Sequence, residues 1–167
     1  MAFLLNRVHV ELMCVRKMVL RKALESDLMQ VYSIEKESFI DPYPFWYIRF
    51  LFSLSGDFFY VAELGSKVVG YAILVPLTNR SCHLANIAVK REYRRRRIAS
   101  CMLIKSEHDC RIKGFNKIVL EVETTNTPAL LLYKKHGYKT VKLVLNYYGK
   151  DRHAYVMVKN LVLKPVS

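Results

Sequence analysis

The chain has 167 residues, enough for one compact domain, because two separate cores of half this length would each be marginally stable. Its 52% hydrophobic and 25% charged residues are those of an ordinary globular protein and exclude a disordered chain, a collagen-like repeat or a pure coiled coil. The 27 lysines and arginines against 14 acidic residues give a net charge of +13, which predicts an anionic partner: nucleic acid, an acidic membrane or a phosphorylated small molecule.

The cysteines and the apolar runs narrow the class of protein further. The four cysteines include no C-x-x-C pair and no histidine cluster lies beside them, so we expect no metal site. No apolar run approaches the ~18 residues of a membrane span, and the apolar start is too short for a signal peptide. The sequence therefore predicts a cytoplasmic protein that does not associate with membranes.

The first 17 residues fit the pattern of the chain least well, and we interpret residues 1–17 as an N-terminal extension of uncertain structure. The core pattern begins at Met18. No linker, low-complexity tract or internal repeat interrupts the chain after this point, so the predicted domain covers residues 18–167.

From Met18 onward the pattern predicts a β-α-α-β-β-β-α-β-α-β-β order, which is typical of a mixed α+β protein. Gly65 can adopt positive φ between two apolar runs and predicts a β-hairpin, and Asn126 predicts a helix N-cap. The predicted elements are a strand at 18–23, a helix from 25 to 34 or beyond, a second helix after the prolines at 42 and 44, strands at 58–63, 67–75 and 82–89, a helix at 98–111, a strand at 117–123, a helix from 126 to 135, and strands at 138–145 and 153–161.

Half of the aromatic residues lie in one stretch: ten of twenty fall between Phe39 and Tyr60. Such density is more typical of core packing than of a recognition surface. Within this stretch, the Pro-Tyr-Pro sequence at 42–44 is the part that we expect to remain accessible.

A basic segment at residues 90–100 lies between a predicted strand and a predicted helix. The unpaired N–H groups and the positive dipole end of a helix N-terminus bind phosphate, and arginines there deepen the anion field. Considered alone, a basic run is more often a solvated face or a nucleic-acid patch.

This sequence resembles the GNAT superfamily of acetyltransferases, whose loop Arg/Gln-x-x-Gly-x-Gly/Ala is matched by Arg94, Arg97 and Ala99. Four further segments match in order and are more specific than the arginine run: residues 83–89, 120–122, 126–133 and 146–148. The resemblance covers residues 18–161 and is strongest to archaeal N-terminal acetyltransferases and to the bacterial enzyme that acts on a ribosomal-protein alanine. It implies an α+β GNAT fold, with a central mixed seven-stranded sheet and about four helices.

The resemblance also implies an activity and its site. The implied reaction is direct acetyl transfer from acetyl-CoA to the α-amino group of a protein N-terminus, in a ternary complex and without a metal. The residues implied to bind acetyl-CoA are Ile87, Ala88, Val89, Arg95, Arg96, Arg97, Ile98, Ala99, Ser100, Asn126 and Tyr133. The N–H of Val89 would also bind the oxyanion.

The implied catalytic residues are His83, Glu121 and Tyr133. A peptide α-amine has a pKa near ~8, so a modest base suffices, and a tyrosine with an unperturbed pKa near ~10 is suited to protonate the leaving thiolate. His83 lies on a largely apolar strand face, where a hydrogen-bonded core histidine is the plainer interpretation. Glu121 points away from its apolar neighbours at mid-strand, where a carboxylate needs a partner or a function.

For the acceptor peptide, the resemblance points to Tyr43 between the first two helices and to Tyr147 and Tyr148 before the last strand. Asp41 stands where some relatives carry a glutamate that favours particular first residues. An ordinary turn residue before Pro42 explains Asp41 equally well.

One residue departs from the family pattern: Arg97 stands at the fourth position of the loop motif, where the family has glycine. A Cβ there would crowd the pyrophosphate or resist a backbone geometry that glycine permits, and ordinary helical φ at Arg97 would remove the objection.

The sequence leaves two alternatives open. The same fold could acetylate a lysine side chain or a small amine, although the positive charge disfavours a polycationic acceptor. The basic segment could instead belong to a nucleic-acid or ribosome-binding module without acetyl transfer, and an enzyme could also use this surface to dock on the ribosome. The sequence does not predict an oligomeric state.

Overall fold

The computed structural model describes residues 17–161, so the predicted extension lies outside the described residues except for Lys17. The strands are β1 (Met18–Lys22), β2 (Phe59–Leu64), β3 (Lys67–Leu77), β4 (Ser81–Val89), β5 (Lys117–Glu123), β6 (Lys139–Val144) and β7 (Ala154–Asn160). The helices are α1 (Leu28–Ser38), α2 (Phe45–Ser55), α3 (Ile98–Ile112) and α4 (Thr127–Lys135). This order of strands and helices confirms the predicted one.

The seven strands form one mixed sheet in the order β1-β2-β3-β4-β5-β7-β6. The pairs β1/β2, β2/β3, β5/β7 and β6/β7 are antiparallel, whereas β4 and β5 are parallel. The predicted mixed seven-stranded sheet with four α-helices is thereby confirmed.

Local chemistry explains where the elements begin. Glu25–Asp27 form a 3₁₀ turn in which Asp27 accepts the Leu24 N–H at 2.7 Å, so α1 starts three residues later than predicted, at Leu28. At α4 the Asn126 side chain accepts the Ala129 N–H at 3.2 Å, the predicted N-cap. Gly65, with φ +63°, makes the turn between β2 and β3.

The chain divides into two compact units. In the described part, the first unit comprises residues 17–75 and 86–106, and the second comprises residues 76–85 and 107–161. Strand β4 therefore contributes its first half to the second unit and its second half to the first.

The core of the first unit combines small sheet residues with the start of α3. Ala62, Ala72 and Val89 are buried together with Ile98 and Met102 of that helix. Because a Cβ on Gly70 would lie 3.1 Å from the Ala88 carbonyl oxygen and 3.2 Å from the Met102 side chain, glycine permits this close packing.

The core of the second unit follows strict alternation along β5. Ile118, Leu120 and Val122 are buried, while the residues between them, including Glu121, are half-buried on the other face. The prediction that Glu121 faces away from its apolar neighbours is therefore correct.

The aromatic stretch is only partly core. Phe58, Phe59 and Tyr60 are buried, but Trp46 and Phe50 are 68% and 49% exposed, so for these two residues the core prediction is wrong. Helix α2 buries Ile48 and Leu51, and the exposed pair lies one helical turn apart on the opposite face.

Candidate active site

The loop from Val89 to α3 is held at its base by one arginine. Arg94 donates from Nε to the Val89 carbonyl at 2.9 Å and from Nη2 to the Ser38 hydroxyl at 3.2 Å. Lys90 donates its N–H to the Val69 carbonyl at 2.9 Å. Arg94, the first residue of the predicted motif, thus anchors the loop to the sheet and to α1.

The next three arginines, Arg95, Arg96 and Arg97, are exposed, and two of them have unusual backbone geometry. Arg95 and Arg97 have φ values of 59° and 63°, in the left-handed region that favours glycine. Arg97 therefore adopts a conformation that favours glycine, at a cost of roughly 1–2 kcal/mol for a residue with a Cβ. Because its φ is not helical, the objection raised from the sequence is not removed.

The N-terminus of α3 follows directly and offers unpaired amides. Cys101 donates its N–H to the Arg97 carbonyl at 3.0 Å, so the amides of Ile98, Ala99 and Ser100 precede the first bond of the helix. The first turn of α3 has no acidic side chain. Backbone donors, the helix dipole and three exposed guanidiniums make this loop a fitting cradle for a pyrophosphate.

The second half of β4 offers a free backbone edge. The described pairs between β4 and β5 run from Ser81 with Lys117 to His83 with Val119, although β4 continues to Val89. Backbone groups of Ile87, Ala88 and Val89 on that side lie outside the described ladder, although the Val89 carbonyl accepts from Arg94. Such an edge suits an extended ligand carrying amide groups, as a pantetheine arm does.

In the second unit, His83 and Glu121 lie side by side. His83 Nε2 is 2.6 Å from Glu121 Oε2, and the two side chains are 30% and 19% exposed. An ionised carboxylate only accepts hydrogen bonds, so Nε2 is the donor of this bond, and in the neutral ring Nδ1 is the proton acceptor. The pair therefore has the arrangement of a base oriented by a carboxylate.

The charge state of Glu121 follows from its neighbours. The hydrogen bond from His83 lowers the pKa of Glu121, burial opposes this, and a hydrogen bond from Tyr147 lowers the pKa further. Glu121 is thus ionised at neutral pH. The structure brings together three residues, His83, Glu121 and Tyr147, that the sequence assigned to two separate roles.

The loop before β7 is held by its own contacts. The rings of Tyr147 and Tyr148 meet edge to face at 4.8 Å, and the Arg152 guanidinium lies 5.8 Å from the centre of the Tyr148 ring. Arg152 also forms a bidentate pair with Glu123, with nitrogen–oxygen distances of 2.8 and 3.1 Å. Glu123 is therefore half-buried and paired.

Asn126 caps helix α4, which carries Tyr133. Asn126 Oδ1 is engaged in capping, which leaves its Nδ2 for a ligand. Tyr133 is buried against Tyr138, with ring centres 5.6 Å apart, and burial raises the pKa of Tyr133. The expectation of an unperturbed pKa is wrong, and Tyr133 is a weaker acid that stays protonated at neutral pH.

The predicted acceptor residues of the first unit lie after α1. Asp41 is exposed, and Tyr43 is half-buried with its ring edge to face with Tyr47 at 4.8 Å. The Tyr43 N–H donates at 2.8 Å to Glu35, a buried residue that the sequence analysis missed. Its signal was available: Glu35 falls on the helix face of Leu28 and Val31, where an apolar residue is expected.

Two further findings on the described residues concern metal binding and membrane insertion. Within residues 17–161, no group of three histidine, cysteine, aspartate or glutamate side chains is placed to hold a metal ion. Over the same range, no helix has both the length and the apolar character needed to cross a membrane.

The order of strands and helices is the one that the resemblance implied for an acetyltransferase. The model of the acetyltransferase (GNAT) family matches residues 26–138, and the chain belongs to this family. The resemblance seen in the sequence is thereby confirmed.

Relatives and solved structures agree with this assignment. An uncharacterized N-acetyltransferase of Methanocaldococcus jannaschii is 38% identical over 143 residues, which are 85% of this chain and 91% of the relative. An N-alpha-acetyltransferase of Saccharolobus solfataricus is 32% identical over 159 residues, 87% of this chain and 95% of that protein. The crystal structure of Ard1 from Thermoplasma volcanium matches with a TM-score of 0.84 and 26% identity, covering 89% of this chain and 99% of Ard1.

Proposed function

We propose that this acetyltransferase transfers the acetyl group of acetyl-CoA to the α-amino group of protein N-termini, by direct attack in a ternary complex. The observation that carries the proposal is the His83–Glu121 pair, a base held by an ionised carboxylate. The N-alpha-acetyltransferase of Saccharolobus solfataricus, similar over most of both chains, supports the same acceptor.

Acetyl-CoA binds through backbone groups in this proposal. The segment from Arg95 to Ser100 holds the pyrophosphate with its amides and exposed guanidiniums, and the edge from Ile87 to Val89 holds the pantetheine arm. The Val89 N–H binds the oxyanion that forms on the thioester carbonyl. Asn126 contributes its free Nδ2 near the thioester end.

The proton transfers fall to side chains of the second unit. The α-ammonium, with a pKa near ~8, gives a proton to His83 Nδ1 directly or through one water. The amine nitrogen then bonds to the thioester carbon, and collapse of the tetrahedral intermediate breaks the carbon–sulfur bond. The thiolate takes up a proton from Tyr133. The nitrogen, still protonated after the attack, releases its second proton through water to restore Tyr133, and His83 returns the first proton to solvent.

The acceptor peptide is held by tyrosines. Tyr43 and Asp41 supply groups for the first residues of the peptide, and Tyr147 and Tyr148 are assigned to the same peptide. Because the Tyr147 hydroxyl already bonds Glu121, its side chain also tunes the base.

The acceptor is tested with two matched peptides. One has a free N-terminus and no lysine, and its twin has an acetylated N-terminus and one internal lysine. We expect mass spectrometry to find acetyl transfer from acetyl-CoA to the first peptide only. Modification of the blocked twin at comparable rate would contradict the proposal and favour a lysine enzyme.

Docking on the ribosome and a cytoplasmic location remain predictions from charge and composition. The competing nucleic-acid module without acetyl transfer predicts salt-sensitive RNA binding and no heat of acetyl-CoA binding in calorimetry. We expect the opposite for acetyl-CoA, a binding heat that is lost when Arg95, Arg96 and Arg97 are all replaced by alanine.

A further inference from the structure

A buried carboxylate in the first unit has no role in the chemistry above. Glu35 of α1 is 1% exposed, and its hydrogen-bond partners among the described residues are all neutral. An ionised carboxylate without a cationic neighbour is costly to bury, so the hydrogen bonds that Glu35 accepts must offset that cost.

The two oxygens of Glu35 accept from different parts of the fold. Oε1 accepts the backbone N–H of Tyr43 at 2.8 Å, in the loop between α1 and α2. Oε2 accepts the Asn86 side-chain amide of β4 at 2.9 Å and the Tyr71 hydroxyl of β3. These partners lie 8, 51 and 36 residues from Glu35 in sequence, so one side chain joins a loop to two strands.

A neutral side chain of this size could not make the same connection. Glutamine has one accepting oxygen and two amide hydrogens, whereas the loop and the sheet both present donors. The carboxylate satisfies both sides at once, and its loss would leave the Tyr43 N–H or the Asn86 amide without an acceptor.

The segments joined are those that the proposed function uses. The loop carries Asp41 and Tyr43, assigned to the acceptor peptide, and Asn86 directly precedes the strand edge assigned to the pantetheine arm. We infer that Glu35 is the positioning residue of the acceptor site, holding the peptide-binding loop against β4. This inference rests on the proposed function.

One backbone amide in this loop can be used to monitor the contact with Glu35. Pro42 and Pro44 have no N–H, so Tyr43 carries the one backbone amide hydrogen of residues 42–44. Hydrogen exchange at this amide reports the Glu35 contact without requiring any enzymatic activity.

The main variant is Glu35→Leu, which fills the buried volume but accepts nothing. We expect the KM for a free-N-terminus peptide to rise about tenfold, as the loss of an anchoring hydrogen bond implies. The KM for acetyl-CoA should stay within about twofold, and Tyr43 exchange should accelerate. Glu35→Gln, with one accepting oxygen, should restore part of both effects.

The matched control is Tyr71→Phe, which removes the β3 hydrogen bond to the same carboxylate but leaves the loop and β4 contacts. It should keep the peptide KM and Tyr43 exchange of the wild type even where it lowers Tm. If Tyr71→Phe raises the peptide KM as much as Glu35→Leu, or if Glu35→Leu changes neither measurement, the inference is wrong.

A third variant covers the case in which Glu35→Leu does not fold. Asn86→Ala keeps the carboxylate and its loop contact, and should raise the peptide KM about two- to fivefold; an unchanged KM would overturn the inference. Wild-type protein that does not acetylate the peptide would refute the proposed function instead, and the role of Glu35 at an acceptor site with it. Tyr43 exchange would then still show whether Glu35 holds the loop.

Discussion

Glu35 in the first unit and Glu121 in the second are shielded carboxylates of one chemical type with opposite electrostatic surroundings. Glu121 contacts an imidazole, and the hydrogen bond from His83 lowers its pKa. Glu35 contacts only neutral donors among the described residues, and burial raises its pKa despite three hydrogen bonds. The partner that can carry a proton, rather than burial alone, distinguishes a carboxylate suited to catalysis from one that positions a loop.

The contrast extends to the two units. The first unit offers backbone amides, guanidiniums and a buried carboxylate, Glu35, that is hydrogen-bonded to a loop. All of these are suited to binding and positioning. The second unit contains the side chains suited to proton transfer. Substitutions of Glu35 or of Arg97 should therefore change substrate affinity, whereas those in the His83–Glu121 pair should change kcat.

The largest effect is expected at Glu121. Glu121→Gln removes the charge that orients His83, so we expect kcat for peptide acetylation to fall about 100-fold, within the usual range for general-base catalysis. Both KM values should change less than about threefold in steady-state assays. The control is Glu123→Gln on the same strand, which loses the Arg152 pair and should reduce stability but keep kcat within a few-fold. Equal loss of kcat in both variants would break the contrast.

The second test is the pH dependence of stability. The lowered pKa of Glu121 stabilises the folded state above the unfolded pKa of about 4.3, and this contribution is lost as pH falls through the folded pKa. The raised pKa of Glu35 acts in the opposite sense: stability is lost as pH rises from about 4.3 through the folded pKa.

Urea unfolding from pH 3.5 to 5.5 should therefore separate the two carboxylates. Relative to wild type, Glu121→Gln should become less stable as pH rises, and Glu35→Gln should become more stable. A difference of one pKa unit between the folded and unfolded states changes the free energy of unfolding by about 1.4 kcal/mol. Slopes of the same sign would refute the assignment of opposite environments.

Arg97 tests the binding side of the contrast. Arg97→Gly and Arg97→Ala both remove the guanidinium, but only glycine relieves the φ of 63°. We expect the glycine variant to be about 1 kcal/mol more stable than the alanine variant in urea unfolding. Both should weaken acetyl-CoA binding several-fold in calorimetry with kcat unchanged. A fall in kcat without a change in affinity would contradict the role of this loop.

The smallest effect is expected at Tyr147. Tyr147→Phe removes one hydrogen bond to Glu121. The pKa of Glu121 should therefore rise, and kcat/KM should fall about two- to fivefold. The acidic limb of the pH–rate profile should move to higher pH. An acidic limb that does not move would show that Tyr147 holds the peptide without tuning the pair.

Much of the fold could be predicted from local patterns. The order of elements, the hairpin at Gly65 and the cap at Asn126 depend on residues close in sequence, whose periodicity and turn chemistry are visible in the chain. The outward direction of Glu121 followed from period-two alternation on β5. The exposure of Trp46 and Phe50 did not, because aromatic content alone does not say which helix face meets the core.

The sequence by itself determined the family, the element order and the loop that fits a pyrophosphate, since these depend on short motifs and local spacing. Tertiary structure decided which side chains meet: His83 with Glu121, Glu121 with Tyr147, and Glu35 with Tyr43, Tyr71 and Asn86. It also decided that Arg97 takes the left-handed conformation of a glycine. Except for Glu35 with Tyr43, these contacts join residues far apart in sequence. The protonation of the two carboxylates depends on burial and on the charge of their partners, which exist only once the strands and helices are assembled.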